Sequence, residues 1–232
     1  MRCGARGRQY AQAVNAAAEP APSRQREWWL RTLAIFQSPT AVFTALRDNS
    51  NEAVQARQEP ILAIIFLAGI AGVLSTTIAG RIFDDPTLDG VEVAIWAFLG
   101  GAIYGLIVYW LGGVFLFAAG SLLGSNGSYR RARHVLAYSA APLVLLLLFV
   151  WPVRIAVYGD DVFRSGGGDS GAGDTVFEVL ALAFGVWSVA LLVIGTRAVH
   201  GWSAARAVAS VVLAVGLAAL LVAVLLGLQA IR

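Results

Sequence analysis

The sequence predicts an all-α protein, a polytopic membrane bundle of five transmembrane helices preceded by short amphipathic cytoplasmic helices. Three observations lead there. Apolar residues make up 58% of the 232 and charged residues only 13%, about half the charged share of a soluble domain. One soluble core could not bury that much apolar material. Five stretches approach or exceed the roughly 20 apolar residues needed to cross about 30 Å of hydrocarbon at 1.5 Å per residue. The arginines between those stretches fall mostly on one side.

The division expected is a disordered tail over 1–23, amphipathic cytoplasmic or interfacial helices over 24–58, and a membrane domain over 59–232. Residues 1–20 lack the apolar h-region of a cleavable signal peptide, so the first span is expected to act as the targeting signal. The single cysteine, Cys3, excludes an internal disulfide and a cysteine-based zinc site.

Within 24–58, Trp29, Leu33 and Phe36 recur at helical spacing with Trp28 and Leu30 beside them. Ser38-Pro39 ends that helix and starts another, with Ser38 as cap and Pro39 in the first turn. Val42, Phe43 and Leu46 give the second helix an apolar face. Trp28, Trp29 and Phe36 are candidate interfacial anchors. Packing against the inner ends of the bundle is an equal reading, and the two are compatible.

The spans are expected at about 61–79, 93–124, 135–158, 179–199 and 207–228. Pro60 stands at the start of the first, where a missing N–H costs little. The second would make a helix about 48 Å long, or two short segments broken at Gly112-Gly113. Charge decides between them. With the N-terminus inside and five spans, thirteen arginines fall inside and four (Arg81, Arg154, Arg164 and Arg232) outside, as the positive-inside rule requires. Arg130, Arg131, Arg133, Arg197 and Arg206 set this topology together with the N-terminal arginines. Splitting the second span would put Arg130, Arg131 and Arg133 outside, so one long helix is expected. Acids crowd the outer loops at Asp84, Asp85, Asp89 and Glu92, and again at Asp160, Asp161, Asp169, Asp174 and Glu178. The outer run 165–173, SGGGDSGAG, reads as a flexible linker and not as a phosphate loop, since no Lys-Ser/Thr follows it.

Little points to catalysis. His134 and His200 lie on the inner side without acid or cysteine partners at ligand spacing and read as boundary residues. Arg154 is the one charge within an apolar stretch, and snorkelling or a pair with Glu178 or Glu92 accounts for it. No Asp, Glu or Lys lies mid-span, which disfavours a charge-coupled transporter. No catalytic, cofactor-binding or metal-ligating residue is assigned. Gly101 and Gly105 form a GxxxG pair and Gly120 and Gly124 another, read as internal packing first and oligomer contact second. Tyr138, Ser139 and Pro142 read as a kink in the third span, with Ser139 bonded to backbone.

Three segments resemble the Yip-domain family of polytopic membrane proteins, named for interaction with Ypt/Rab GTPases. SPTAVFTAL, residues 38–46, is similar to its P-x-x-x-F-x-x-L entry through Pro39, Phe43 and Leu46. GSYRRARHVLAYSAAP, 127–142, resembles its inner loop and third span through Tyr138 and Pro142. GVWSVALLVIGTRAVHGWSAARAVA, 185–209, resembles its W-x-x-x-L-x-x-x-G span and basic turn, ending the motif at Gly195. The resemblance covers roughly 32–229 and implies a cytoplasmic N-terminus and an external or lumenal C-terminus. Eukaryotic members of the resembled family bind Rab-type GTPases and each other. The composition here, with Arg as the sole strongly basic residue and abundant Ala, fits a GC-rich bacterial source, where such GTPases do not occur.

The function expected is therefore a non-enzymatic protein of a bacterial plasma membrane, organising membrane or recruiting partners at its cytoplasmic face. The alternative is a conduit for lipid or a small neutral solute. Expected partners are membrane lipids, other copies or other proteins through the membrane helices, and an unidentified protein at the N-terminal helices. No nucleic acid and no cofactor are expected.

Overall fold

The computed structural model describes residues 22–75, 90–159, 162 and 172–230. The expectations for the tail through residue 21, for the loop acids Asp84, Asp85, Asp89, Asp160, Asp161 and Asp169, for Arg81, Arg164 and Arg232, and for linker residues 165–171 lie outside the described residues.

Two short helices, α1 (Pro22–Ala34) and α2 (Pro39–Ala45), precede the bundle. α2 begins at Pro39, but the Ser38 side chain makes no capping bond. The Ser38 carbonyl instead accepts from the amides of Ala41 and Val42 at 3.1 and 3.3 Å.

The first span is α3 (Asn51–Leu74), capped by the Ser50 hydroxyl on the Ala53 amide. Pro60 lies inside this helix and not at its start. The polar residues from Asn51 to Glu59 extend the apolar stretch inward as one continuous helix. The second span is α4 (Gly90–Ile107), a π turn at Val108–Gly112 and α5 (Gly113–Leu122). It runs unbroken as one apolar element from Ile95 to Leu122. The third is α6 (Tyr129–Ser139), α7 (Ala141–Leu145), a second π turn at Leu146–Val150 and α8 (Trp151–Tyr158). Pro142 and Pro152 each fall in the first turn after a reset. The Ser139 hydroxyl donates to the Leu136 carbonyl at 2.7 Å, a backbone role as expected. The fourth and fifth spans are α9 (Ala172–His200) and α10 (Ala204–Ala230). All five are long and apolar enough to cross a membrane.

α3 is the centre of the bundle. It packs on α4, α1, α6 and α7, while α9 packs on α2, α6 and α10. Of the most apolar window, 44% is buried in the first span and 6% in the fourth, so the fourth leaves most of its surface to lipid. The closest seam joins α3 to α4. A methyl built on Gly69 would lie 2.7 Å from Gly105 Cα, and one on Gly101 would lie 2.5 Å from Ile70 Cα. Backbone meets backbone here, the approach that small residues permit in lipid. The pair Gly120 and Gly124 forms no such seam. Among the described residues a methyl on Gly120 would meet only Ser125 of its own loop, and Gly124 ends the helix at φ +79°, a conformation that favours glycine.

Arg154, expected to snorkel or to pair with Glu178 or Glu92, pairs with Asp174 at 2.6 Å. Asp174 sits in the first turn of α9, where a carboxylate also complements the helix dipole.

Candidate functional site at the arginine-rich end

α1 and α2 are strapped against the end of the bundle that gathers most of the arginines. Their inward face carries Trp28, Ile35, Val42, Phe43 and Leu46, all 3% exposed or less. Phe43 fits against Gly195, where a methyl would lie 2.8 Å from the Phe43 ring and 2.8 Å from Val135 Cγ1. Leu191, one turn before Gly195, is buried in the same core as Tyr138. The three segments singled out in the sequence thus meet in one cluster. Trp28 lies 6.0 Å from Tyr138, ring to ring.

The outward face is different. Trp29, Leu30 and Leu33 are exposed at 42%, 59% and 68%. The stripe read as one apolar face is divided, with Trp28 and Ile35 inward and Trp29 and Leu33 outward. Phe36, in the α1–α2 turn, packs edge-on against Trp187 at 5.3 Å. Trp187 lies ten residues along α9 from Arg197, about 15 Å at the α-helical rise. The Phe36 ring therefore reaches along α9 past the level of Arg197 towards the middle of the span.

The arginines act locally as well as through their charge. Arg47 Nε donates to the Ala198 carbonyl at 3.0 Å, and Arg131 Nη2 donates to the Arg47 carbonyl at 3.0 Å. Arg206 donates to the Leu123 carbonyl and stacks on Trp202 at 4.5 Å. These acceptors lie at or beyond helix C-termini, where carbonyls lack helical partners and carry partial negative charge. Arg197 is exposed. Arg57 is 0% exposed. Its Nη1 donates to the Asp48 carbonyl at 2.9 Å, its guanidinium lies 5.5 Å from the Trp28 ring centre, and its Nε and Nη2 have no hydrogen-bond partner.

Arg133 enters an aromatic cage, with its Cζ 3.8 Å from the Trp110 ring centre, 4.7 Å from that of Tyr129 and 5.1 Å from that of Tyr109. The π turn at Val108–Gly112 carries Tyr109 and Trp110 to this position. Gly113 leaves room for the Arg133 stem, which a methyl there would strike. The Gly112-Gly113 pair, a possible break point in the sequence, is a crossing point of the second and third spans. His134 is 5% exposed, inside the bundle and not at a free boundary. His200 Nδ1 lies 3.1 Å from Ser125 Oγ, and its ring stacks on Trp202 at 4.6 Å. Among the described residues no three His, Cys, Asp or Glu side chains gather as they would around a metal ion.

Sequence reasoning counted Arg57 only as an inside charge and assigned nothing to Tyr109 or Trp110. The signal available for the aromatic pair was its place directly before the glycine pair.

Five apolar helices with an arginine-rich end and a strapped N-terminal helix pair define an integral membrane protein. The Yip1 domain family model matches residues 33–226, and the chain belongs to that family. No curated protein and no solved structure matches it.

Proposed function

We propose that this chain is a non-enzymatic membrane protein that organises the bilayer at its cytoplasmic face through the α1–α2 pair. The observation that carries the proposal is the two-sided α1 helix. One side is locked into the core by Trp28, with Ile35 buried in the turn that follows, and the other presents Trp29, Leu30 and Leu33 outward. Arg31, ion-paired to Glu27, sits on the same helix. A fixed apolar edge that dips beside a span has the composition of an interfacial wedge. The arginine distribution supports an inside N-terminus, and the Arg-only composition supports a bacterial plasma membrane.

Deleting the segment is a poor test, because Phe43 and Leu46 belong to the core. The triple change Trp29→Ser, Leu30→Ser, Leu33→Ser touches only the outer edge. A photo-crosslinker at Leu33 in native membranes should yield lipid adducts, and the triple variant should fold yet fail to complement a deletion strain. Protein adducts alone would replace the wedge with a docked partner. Full complementation by a correctly inserted triple variant would overturn the proposal.

A further inference from the structure

One face of α3 borders two cavities in succession. Asn51, Gln55, Gln58 and Leu62 line the first. Ile65, Gly69 and Gly72 line the second. These positions advance by alternate steps of four and three, so they form one stripe down the helix. The other walls also run on. The second span contributes Leu106 and Trp110 to the first cavity and Tyr104 and Gly105 to the second, and Tyr109 borders both. The third contributes Arg130, Arg133 and His134 above, then Leu136, Ala137, Ala140 and Leu143 below.

The two halves differ in chemistry. The first has a volume of about 530 Å³ and holds two guanidiniums, an imidazole and the Gln55 and Gln58 amides, with no carboxylate in its lining. His134, 5% exposed, has no hydrogen-bond partner for Nδ1, and Arg133 has none for Nε. Both atoms are shielded from water, so the groups that border the cavity and can meet a ligand are the guanidiniums of Arg130 and Arg133 and the amides of Asn51, Gln55 and Gln58. The second cavity, about 150 Å³, is walled by aliphatic and small residues and two tyrosines. Apolar cavities of that size stay dry.

We propose that this seam holds one anionic phospholipid, its phosphate against Arg130 and Arg133 and an acyl chain along the apolar half. Guanidinium forks match phosphate geometry, and basic pockets between membrane helices take acidic headgroups. The cage of Trp110, Tyr129 and Tyr109 fixes Arg133 at the level where α3 turns from polar to apolar, the depth of a lipid phosphate. The inference is independent of the α1 wedge, since no residue of α1 lines either cavity.

The test is lipid retention by the full-length protein in detergent, read by native mass spectrometry. Phosphatidylglycerol and phosphatidylcholine are the probes, and inorganic phosphate is the competitor. Wild type should keep one phosphatidylglycerol in preference to phosphatidylcholine. Arg130→Gln should weaken retention about fivefold, and Arg130→Gln with Arg133→Gln about 25-fold, each guanidinium contributing one such factor. Arg197→Gln removes the same charge from an exposed position outside the seam and should change retention less than about twofold by this reasoning. Ala68→Leu, which fills the apolar half, should weaken retention of the intact lipid and leave binding of water-soluble glycerophosphoglycerol unchanged. Arg130 is exposed and takes no part in the cage, so its single variant keeps the test valid if the double variant fails to fold. Equal retention of the two lipids would overturn the proposal. So would an equal loss in Arg197→Gln, and so would displacement of phosphatidylglycerol by inorganic phosphate, which would mark a free-anion site.

Discussion

Gly195→Ala tests the convergence on which the N-terminal strap depends. The added methyl would lie 2.8 Å from Phe43 Cε1, 2.9 Å from Phe43 Cδ1 and 2.8 Å from Val135 Cγ1. Relaxed carbon contacts are about 3.5–4.0 Å, so the overlap is near 1 Å against a ring that is 0% exposed and has nowhere to retreat. Overpacking of this kind costs about 1–3 kcal/mol. Replacing a mid-helix glycine with alanine returns about 0.8–1 kcal/mol. The net expectation is a loss near 1 kcal/mol, or about 2–4 °C in apparent Tm for a chain of this size. Phe43→Ala alone should cost about 3–5 kcal/mol, which is about 6–20 °C on the same scale.

The combination is more telling than either change. With the ring gone, the methyl introduced at position 195 meets open space on that side and keeps its helix-propensity advantage. Gly195→Ala should then cost less in the Phe43→Ala background than in the wild type, since only the contact with Val135 Cγ1 remains, with a coupling of about 0.5–3 kcal/mol. The assay is loss of monodisperse elution after heating in detergent, with all four proteins under one protocol because such unfolding is irreversible. If the two changes add to within about 0.5 kcal/mol, Phe43 does not seat on Gly195 and the strap is placed wrongly.

Arg57→Ala should expose the N-terminal segment to protease, because it removes a charged hydrogen bond worth about 1.5–3 kcal/mol and the face-on contact with Trp28. Arg57→Met, which fills the volume without a buried charge, should recover much of that loss, and equal damage from both would show that the charge itself is required. Asp174→Asn should cost about 1 kcal/mol or less in the same thermal assay, and the exchange Arg154→Asp with Asp174→Arg should restore part of it. Cys3 is the sole cysteine, so an impermeant maleimide should label it in broken cells and not in intact ones. Labelling of intact cells would reverse the topology.

The bundle was legible because its signals are long-range averages. Twenty apolar residues and the side on which arginine accumulates survive local irregularity, and the long second span was kept whole on charge alone. What escaped was set by contacts between segments. Helical periodicity marks Trp29 and Leu33 as apolar without saying that Trp28 and Ile35 face inward, because a membrane-associated helix has two apolar environments to choose from. Pro60 marks a helix start by rule, yet helix extends nine residues before it from Asn51 to Glu59, where polar side chains hide the continuation from any hydropathy measure. The two glycine pairs are identical in spacing. Only one meets a second glycine-bearing helix, and the other spends Gly124 on a left-handed turn. The stripe from Asn51 to Gly72 was readable as a heptad, but its change from amides to glycines gains meaning only when Arg130 and Arg133 are placed opposite.

The arginines show where a bulk count stops short. The positive-inside rule treats them as interchangeable charges, and lysine would serve equally well there. Here Arg47, Arg57, Arg131 and Arg206 each donate to a backbone carbonyl. Arg133 and Arg206 also lie over aromatic rings. A planar guanidinium does both at once, and a lysine ammonium lacks the flat face and the fork. These carbonyls sit at helix ends and tight turns, where helical N–H partners run out, and the guanidiniums supply donors to them. The same side chains on which the expected topology rests thus close the arginine-rich end of the bundle. Arg130 is exposed and lines the polar cavity beside Arg133, which leaves its guanidinium open to a ligand.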